Sequence, residues 1–379
     1  MKKTLLGTTA LVAAGLIAGP ALASDPLKVT VGGNVVTGFY VVDSDNGPGG
    51  TSYQDTKVAV VARNIDIIAE GTLDNGMTAG VDAKLMLGSD FSNATGTANS
   101  NGYATFRQLY AYLEGGFGRF EMGGTDGAAY KMHYTSPWFV PGNGVDSPNI
   151  YNSAFSPVRA STFSLMATDS NKVSYFTPRL AGFQLGVSYT PDTGTSVAGR
   201  NVRANGLGLL AKSAVAISDV FEVAANYSGS IAGVDVGVDG FYTSGDATTP
   251  STDPEEYGFG ANFGYQGFTL GGAYYKSSDL SGLSPVSGAG ARVWTAGLSY
   301  ATGPWKVGVA YLDGKDDSDS TVVLAPGASK KNSTWQVGGG YSLGSGVDVG
   351  LDLQLNSVET ASLGTYDSKS AGLVLAVSF

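Results

Sequence analysis

The feature that most restricts the fold of this chain is an alternation with a period of two, closed at both ends by large aromatic rings. Trp294, Ala296, Leu298 and Tyr300 form one such frame, with Thr295, Gly297 and Ser299 between them. The frame recurs at Trp305-Val307-Val309-Tyr311, Trp335-Val337-Gly339-Tyr341, Phe183-Leu185-Val187-Tyr189, Phe221-Val223-Ala225-Tyr227 and Phe268-Leu270-Gly272-Tyr274. Successive residues of a strand point to opposite faces, so each frame reads as one face of a β-strand. A soluble sandwich buries aromatics anywhere along its inner face. Rings confined to the two ends match instead the girdles that bound the apolar band of a membrane barrel, about 25 Å tall. Six residues at a rise of about 3.3 Å span about 20 Å, or about 15 Å when tilted, and the rings reach further at each end.

The opposite face carries Gly186, Gly237, Gly271, Gly297, Gly308, Gly338, Gly340 and Gly350, mixed with Gln184, Gln336, Asp348, Asp352 and Asn356. Burying unpaired carboxylates is costly. This face is therefore read as unable to form a dry core and as lining a water-filled bore. Composition agrees, since 56 of the 379 residues are glycine and only 14% are charged. Each interior glycine costs a helix about 1 kcal/mol relative to alanine, which disfavours an ordinary helical enzyme. The chain has no cysteine and a single histidine, His133. That argues against multi-histidine metal sites and most His-dependent catalysis. No G-x-S-x-G elbow, P-loop or Cys-x-x-Cys occurs. His133 is read as an ordinary solvated or packed side chain. A formal charge of −10 argues against nucleic acid as a partner.

Lys2 and Lys3, the apolar residues 5–18 and the small-x-small residues 21–23 read as a secretory signal over 1–23, leaving a single barrel domain over 24–379. Loss of the two lysines takes the formal charge from −10 to −12. Past the signal no run of 18 apolar residues occurs; Arg63, Asn64 and Asp66 interrupt the nearest one, 58–69. Tight turns with glycine or Asn-Gly chemistry are expected at 73–76, 115–118, 178–182, 230–233, 266–267, 302–304 and 344–346. Eight longer polar connections alternate with them, near 43–55, 88–102, 124–170, 190–217, 244–254, 278–290, 313–332 and 358–369. Within these, 207–217 also reads as strand. Seven turns and eight loops join sixteen antiparallel strands, an all-β transmembrane barrel. Leu373, Leu375, Val377 and Phe379 share one face of the last strand, and closure of the cylinder leaves no free edge. The acidic run 313–319 lacks EF-hand spacing. It is read as a solvated loop bridging lipopolysaccharide phosphates through divalent ions, and no other cofactor is expected.

Four pieces in order, GTLDNG at 71–76, GFGRFEMG at 116–123, YFTP at 175–178 running into GFQLGVSY at 182–189, and the terminal Phe379, carry a family resemblance. On them the chain resembles the trimeric general-diffusion porins of Gram-negative outer membranes, most closely those of alphaproteobacterial type. The resemblance spans nearly all of 24–379. It implies a homotrimer in outer-membrane lipid and lipopolysaccharide, and a third outer loop folded into the barrel to narrow the pore. In that family acidic groups on this loop face basic groups on the wall. The terminal phenylalanine belongs to the signal read by the barrel-assembly machinery.

The matching loop is 124–170, the longest connection. It holds Tyr134, Trp138, Phe139, Tyr151 and Phe155 with Pro137, Pro141, Pro148 and Pro157, enough rigid apolar material to pack against a wall. Its acids are Asp126 and Asp146, with Asp169 at the far end, and its bases Lys131 and Arg159. Alternation assigns Lys28, Lys84, Arg107, Lys172 and Lys306 to the lumen, and related porins place a constriction arginine where Arg107 stands. The same frame turns Asp66, Asp82, Glu222, Asp235, Asp239, Asp348 and Asp352 inward, seven acids against five bases. That count predicts a weak cation preference. If Asp66 faces water, Arg63 falls on the lipid-side parity, which leaves it beyond the apolar band, at a bulge or in a subunit contact. The function expected is passive diffusion of small hydrophilic solutes and ions, without turnover. The alternative is a solute-selective porin with a saturable site in the constriction, and the missing catalytic set disfavours a barrel-anchored enzyme or adhesin.

Overall fold

The computed structural model describes residues 27–46, 50, 52, 54–87, 105–153, 159–193, 217–247, 252–281, 284, 285, 287–319, 325–360 and 364–379. The expected signal at 1–23, Phe155, Pro157 and residues 207–216 lie outside the described residues. The strands are β1 (Lys28–Ser44), β2 (Thr56–Thr72), β3 (Thr78–Met86), β4 (Thr105–Gly115), β5 (Gly118–Gly124), β6 (Asn171–Phe176), β7 (Phe183–Asp192), β8 (Ile217–Ile231) and β9 (Val234–Ala247). They continue as β10 (Glu255–Tyr265), β11 (Phe268–Ser278), β12 (Leu280–Ser281), β13 (Ser284–Pro285), β14 (Ala291–Thr302), β15 (Trp305–Asp319), β16 (Ala325–Gly344), β17 (Val347–Thr360) and β18 (Gly364–Ser378). The short β12 and β13 pair only with each other, and the other sixteen close into one barrel. Every neighbouring pair is antiparallel, and β1 joins both β2 and β18. Phe379 completes the seam: its N–H donates to the Gly33 carbonyl at 3.0 Å, and its own carbonyl accepts from Gly33 at 2.9 Å. Among the described residues, none of the sixteen barrel strands is left with an open edge, as hydrocarbon requires.

Local chemistry explains the turns. Gln266 and Gly267 both lie at positive φ, 48° and 86°, as the two central residues of a type I′ hairpin turn must. All seven expected tight turns join consecutive strands. Two expected loops are much shorter than 313–332 and 358–369, because β15 runs on to Asp319 and β17 to Thr360. The run 313–319 is therefore strand and not loop. On its outer parity Lys315 pairs with Asp317 at 2.7 Å, while Asp316 is buried on the inner parity. A ladder carrying charge on both faces has risen past the apolar band into water.

The outward parity follows the aromatic frames. Leu298 is 42% exposed and Val337 47%, whereas Asp352 on the opposite parity is fully buried. Rings from neighbouring strands meet in two rows. Beside the tight turns Phe268 lies 4.5 Å from Tyr300, Trp305 4.5 Å from Tyr341 and Phe183 4.9 Å from Tyr227. At the other end Tyr311 sits between Trp294 at 5.1 Å and Trp335 at 4.7 Å. Such amphipathic rings suit the two boundaries of a bilayer.

Candidate functional site

The connection 125–170 between β5 and β6 engages residue after residue of the inner parity. It begins with one helical turn, α1 (Ala128–Lys131). There Ala128 N–H donates to Ser188 Oγ at 2.8 Å and Ala129 N–H to Glu222 Oε2 at 3.0 Å. His133 Nδ1 then lies 2.8 Å from Asp239 Oδ1, and Tyr134 N–H donates to Asp239 Oδ2 at 2.7 Å. Further along, Thr295 Oγ1 donates to Ser136 Oγ at 2.9 Å, Asn143 Nδ2 to Asp352 Oδ2 at 2.8 Å, and Asn152 Nδ2 to Ser370 Oγ at 3.1 Å. Phe139, Val140, Val145 and Ile150 form an apolar cluster with Val36, Tyr40, Tyr275, Val293 and Leu312 of the wall.

The inner-parity glycines lie beneath this segment. A Cβ on Gly237 would come within 2.9 Å of the Tyr134 ring, on Gly338 within 3.0 Å of Val140 Cγ2, and on Gly350 within 2.5 Å of Pro141 Cδ. On Gly308 it would strike the Phe139 ring. Gly186 faces Met132, Gly271 the Thr135 carbonyl, Gly297 Pro137 and Gly340 Pro141. The expectation that this face only lines water is corrected. A missing side chain lets another stretch of chain approach the sheet closely, and here one does.

The inward acids are largely engaged too. Asp352 accepts hydrogen bonds from Tyr40, Asn143, Gln336 and Gln354, each at 2.8 Å. Glu256 accepts from Ser164 Oγ at 2.5 Å and Tyr275 Oη at 2.6 Å, and Arg159 Nη2 lies 3.7 Å away. Buried carboxylates satisfied in this way hold the segment to the wall.

The residues singled out in the sequence fall into three groups. Asp146, Arg159 and Lys172 are buried ties. Asp146 accepts the Thr162 N–H at 3.0 Å and the hydroxyls of Thr135 and Thr162. Arg159 donates to the Ser161 and Phe163 carbonyls and lies 4.1 Å over the Tyr275 ring. Lys172 donates to the carbonyls of Thr125, Ala167 and Ser170. A second group lies toward the tight turns. Lys131 pairs with Glu121, which also receives Arg119 Nε at 2.8 Å, and these residues with Glu114 border a space of about 630 Å³. Asp66 sits opposite Lys84 in register, Asp82 accepts the Tyr110 hydroxyl at 3.0 Å, and Lys28 is exposed opposite Glu70. His133 is a packed side chain: its Nε2 is 3.0 Å from Thr162 Oγ1, with Phe163 and Phe241 edge-on to the ring.

The third group surrounds Arg107. Gln108 and Tyr112 are buried on the inner parity of β4, so the frame that assigned Arg107 to the lumen is out by one there. The register jumps from Lys84↔Gln108 to Leu85↔Phe106, and Arg107 is the bulged residue. Its Nε donates to Asp169 Oδ2 at 2.8 Å, while Gln108 Nε2 reaches Asp169 and Asp126 at 2.7 and 2.9 Å. Burial pushes the Asp126 carboxyl above its usual range, as does Asp169 beside it, against the pull of Arg107. Arg63 also sits at a bulge, where Ala62 has φ 48° and the pairing jumps from Asn34↔Asn64 to Val36↔Val61. Of its three open positions the bulge is the one found. Arg63 and Arg107 line a cavity of about 650 Å³ with Tyr130, Trp138 and Phe163. The sequence signal for this arrangement was the polar Arg63-Asn64 pair breaking the parity of an apolar strand.

A closed sixteen-stranded barrel, apolar on its outer face, is the architecture of a β-barrel protein of the bacterial outer membrane. The chain belongs to the Gram-negative porin family, whose family model matches residues 7–361. Among solved structures it is similar to the anion-selective porin from Comamonas acidovorans, at 14% identity and a TM-score of 0.57, covering 93% of this chain and 100% of that one. It is also similar to the in-vitro folded trimer form of OmpT, an outer membrane protein of Vibrio cholerae, at 11% identity and a TM-score of 0.60, covering 94% and 100%. An uncharacterized protein of Rickettsia bellii is 25% identical over 128 residues, a match spanning 28% of this chain and 29% of that protein.

Proposed function

We propose that the protein is a passive channel for small hydrophilic solutes, narrowed by segment 125–170 folded into its bore. The observation that carries this reading is the series of bonds from that segment to inner-parity side chains on β7, β8, β9, β14, β17 and β18. Space remains beside it, bordered by Arg63 and Arg107 on one side of the segment and by Arg119 and Lys131 toward the tight turns. Solute would pass by diffusion, without turnover. Of the seven acids counted along the wall, Glu222, Asp239 and Asp352 are engaged by the segment, so the count overstates the negative charge that a passing ion meets. Arg63 and Arg107 at the gap give a weak preference for anions in place of the cation preference that the count suggests. The same reading includes a homotrimer, lipopolysaccharide around the rim, and the barrel-assembly machinery recognising Phe379.

The test is liposome swelling with neutral sugars of increasing size. Swelling that slows steeply with sugar size is the expected result. Liposomes that do not swell, or that swell at one rate for all sizes, contradict the proposal.

A further inference from the structure

The cavity of about 650 Å³ has walls of two chemistries. Arg63 and Arg107 reach it from separate bulges, one in the β1–β2 pairing and one in the β3–β4 pairing. Facing them, segment 125–170 supplies Tyr130, Trp138 and Phe163. The Tyr130 and Phe163 rings lie 4.6 Å apart, tilted by 34°. Arg107 donates through Nε to Asp169 Oδ2 at 2.8 Å, and its side chain, 36% exposed, borders the cavity. A guanidinium carries five N–H donors, so one pair through Nε leaves donors for a second carboxylate. Flat rings opposite it favour a flat partner, through stacking and edge contacts. The volume falls within the range of small-molecule sites, about 300–1,000 Å³.

The geometry points to a binding site in this cavity for small carboxylates that carry a planar ring, with the carboxylate on Arg107 and Arg63 and the ring against Trp138 and the Tyr130–Phe163 pair. The site rests on the channel reading above and gives that channel a solute class. An inorganic anion uses only one of the two walls, and an uncharged ring only the other.

Single-channel recording in planar bilayers, with benzoate as the probe, tests it. Added benzoate is expected to reduce the salt current saturably, at concentrations well below those at which acetate or benzyl alcohol does so. Arg107→Gln is expected to raise the half-blocking concentration about tenfold, the loss of one charge-assisted contact. Because that variant also releases Asp169, Trp138→Ala provides an independent weakening, while Lys306→Gln, outside the cavity, leaves the block unchanged. Block by benzoate no stronger than by acetate, or block unaltered in both cavity variants, overturns the site while leaving the channel intact. Absence of any current from the wild-type protein overturns the channel reading instead.

Discussion

Asp352 sits on the inner face of a membrane barrel with no solvent exposure, a position tolerable only because four donors surround it. Two of the donors belong to neighbouring wall residues, Gln336 and Gln354; Tyr40 comes from β1 and Asn143 from segment 125–170. Asp352→Leu leaves them facing an apolar group, at about 1–3 kcal/mol for each buried group left unsatisfied. The thermal midpoint in detergent, followed by circular dichroism, is expected to fall clearly; an unchanged midpoint contradicts the tying role. Asp126 behaves differently. Its carboxyl is raised, so its charged form is disfavoured in the fold, and the strain of holding that charge disappears as pH falls through the raised value. Neutralising it beside Arg107 strengthens the positive field. Reversal potentials are therefore expected to move toward anions on acidification from about pH 7 to about pH 4, with a smaller movement in Asp126→Asn. These residue roles were only partly legible in the sequence. Alternation identifies which carboxylates turn inward, but not which of them another segment will cover, and it does not reveal the bulges that shift parity by one at Arg63 and Arg107, the second of which brings Arg107 inward.

At the level of elements, period two was readable because each strand separates two unlike surroundings, and the tight turns because they need residues that accept positive φ. The end of β15 was missed because its charged residues 313–319 satisfy no apolar frame, and β-pairing continues there without one. The glycine positions on the inner face were read correctly and interpreted incompletely: a glycine in a strand signals close approach, and the sequence does not say by what. Gly308→Val tests this seat. It drives a branched side chain into the Phe139 ring, costs about 1–3 kcal/mol of overpacking, and is expected to loosen the segment and raise single-channel conductance. Ala296→Val, exposed on the outer parity, is expected to leave conductance unchanged. Equal conductances in the two variants contradict the seating of the segment on glycine.

For the molecule as a whole, the barrel supplies a bilayer-spanning wall, and in the proposed function the segment determines what passes. Closure pairs both edges of each barrel strand, the two aromatic rows fix the wall's height in the membrane, and the bonds of 125–170 divide the interior between a packed cluster and open space. Under the proposed function, ohmic current and size selection are expected from that division without any moving part. The most direct measurement is single-channel conductance of the wild-type chain beside a chain lacking residues 137–152, both reconstituted in planar bilayers. Ohmic steps grouped by subunit, markedly larger in the shortened chain, are predicted; steps of equal size in the two proteins would contradict a bore narrowed by this segment.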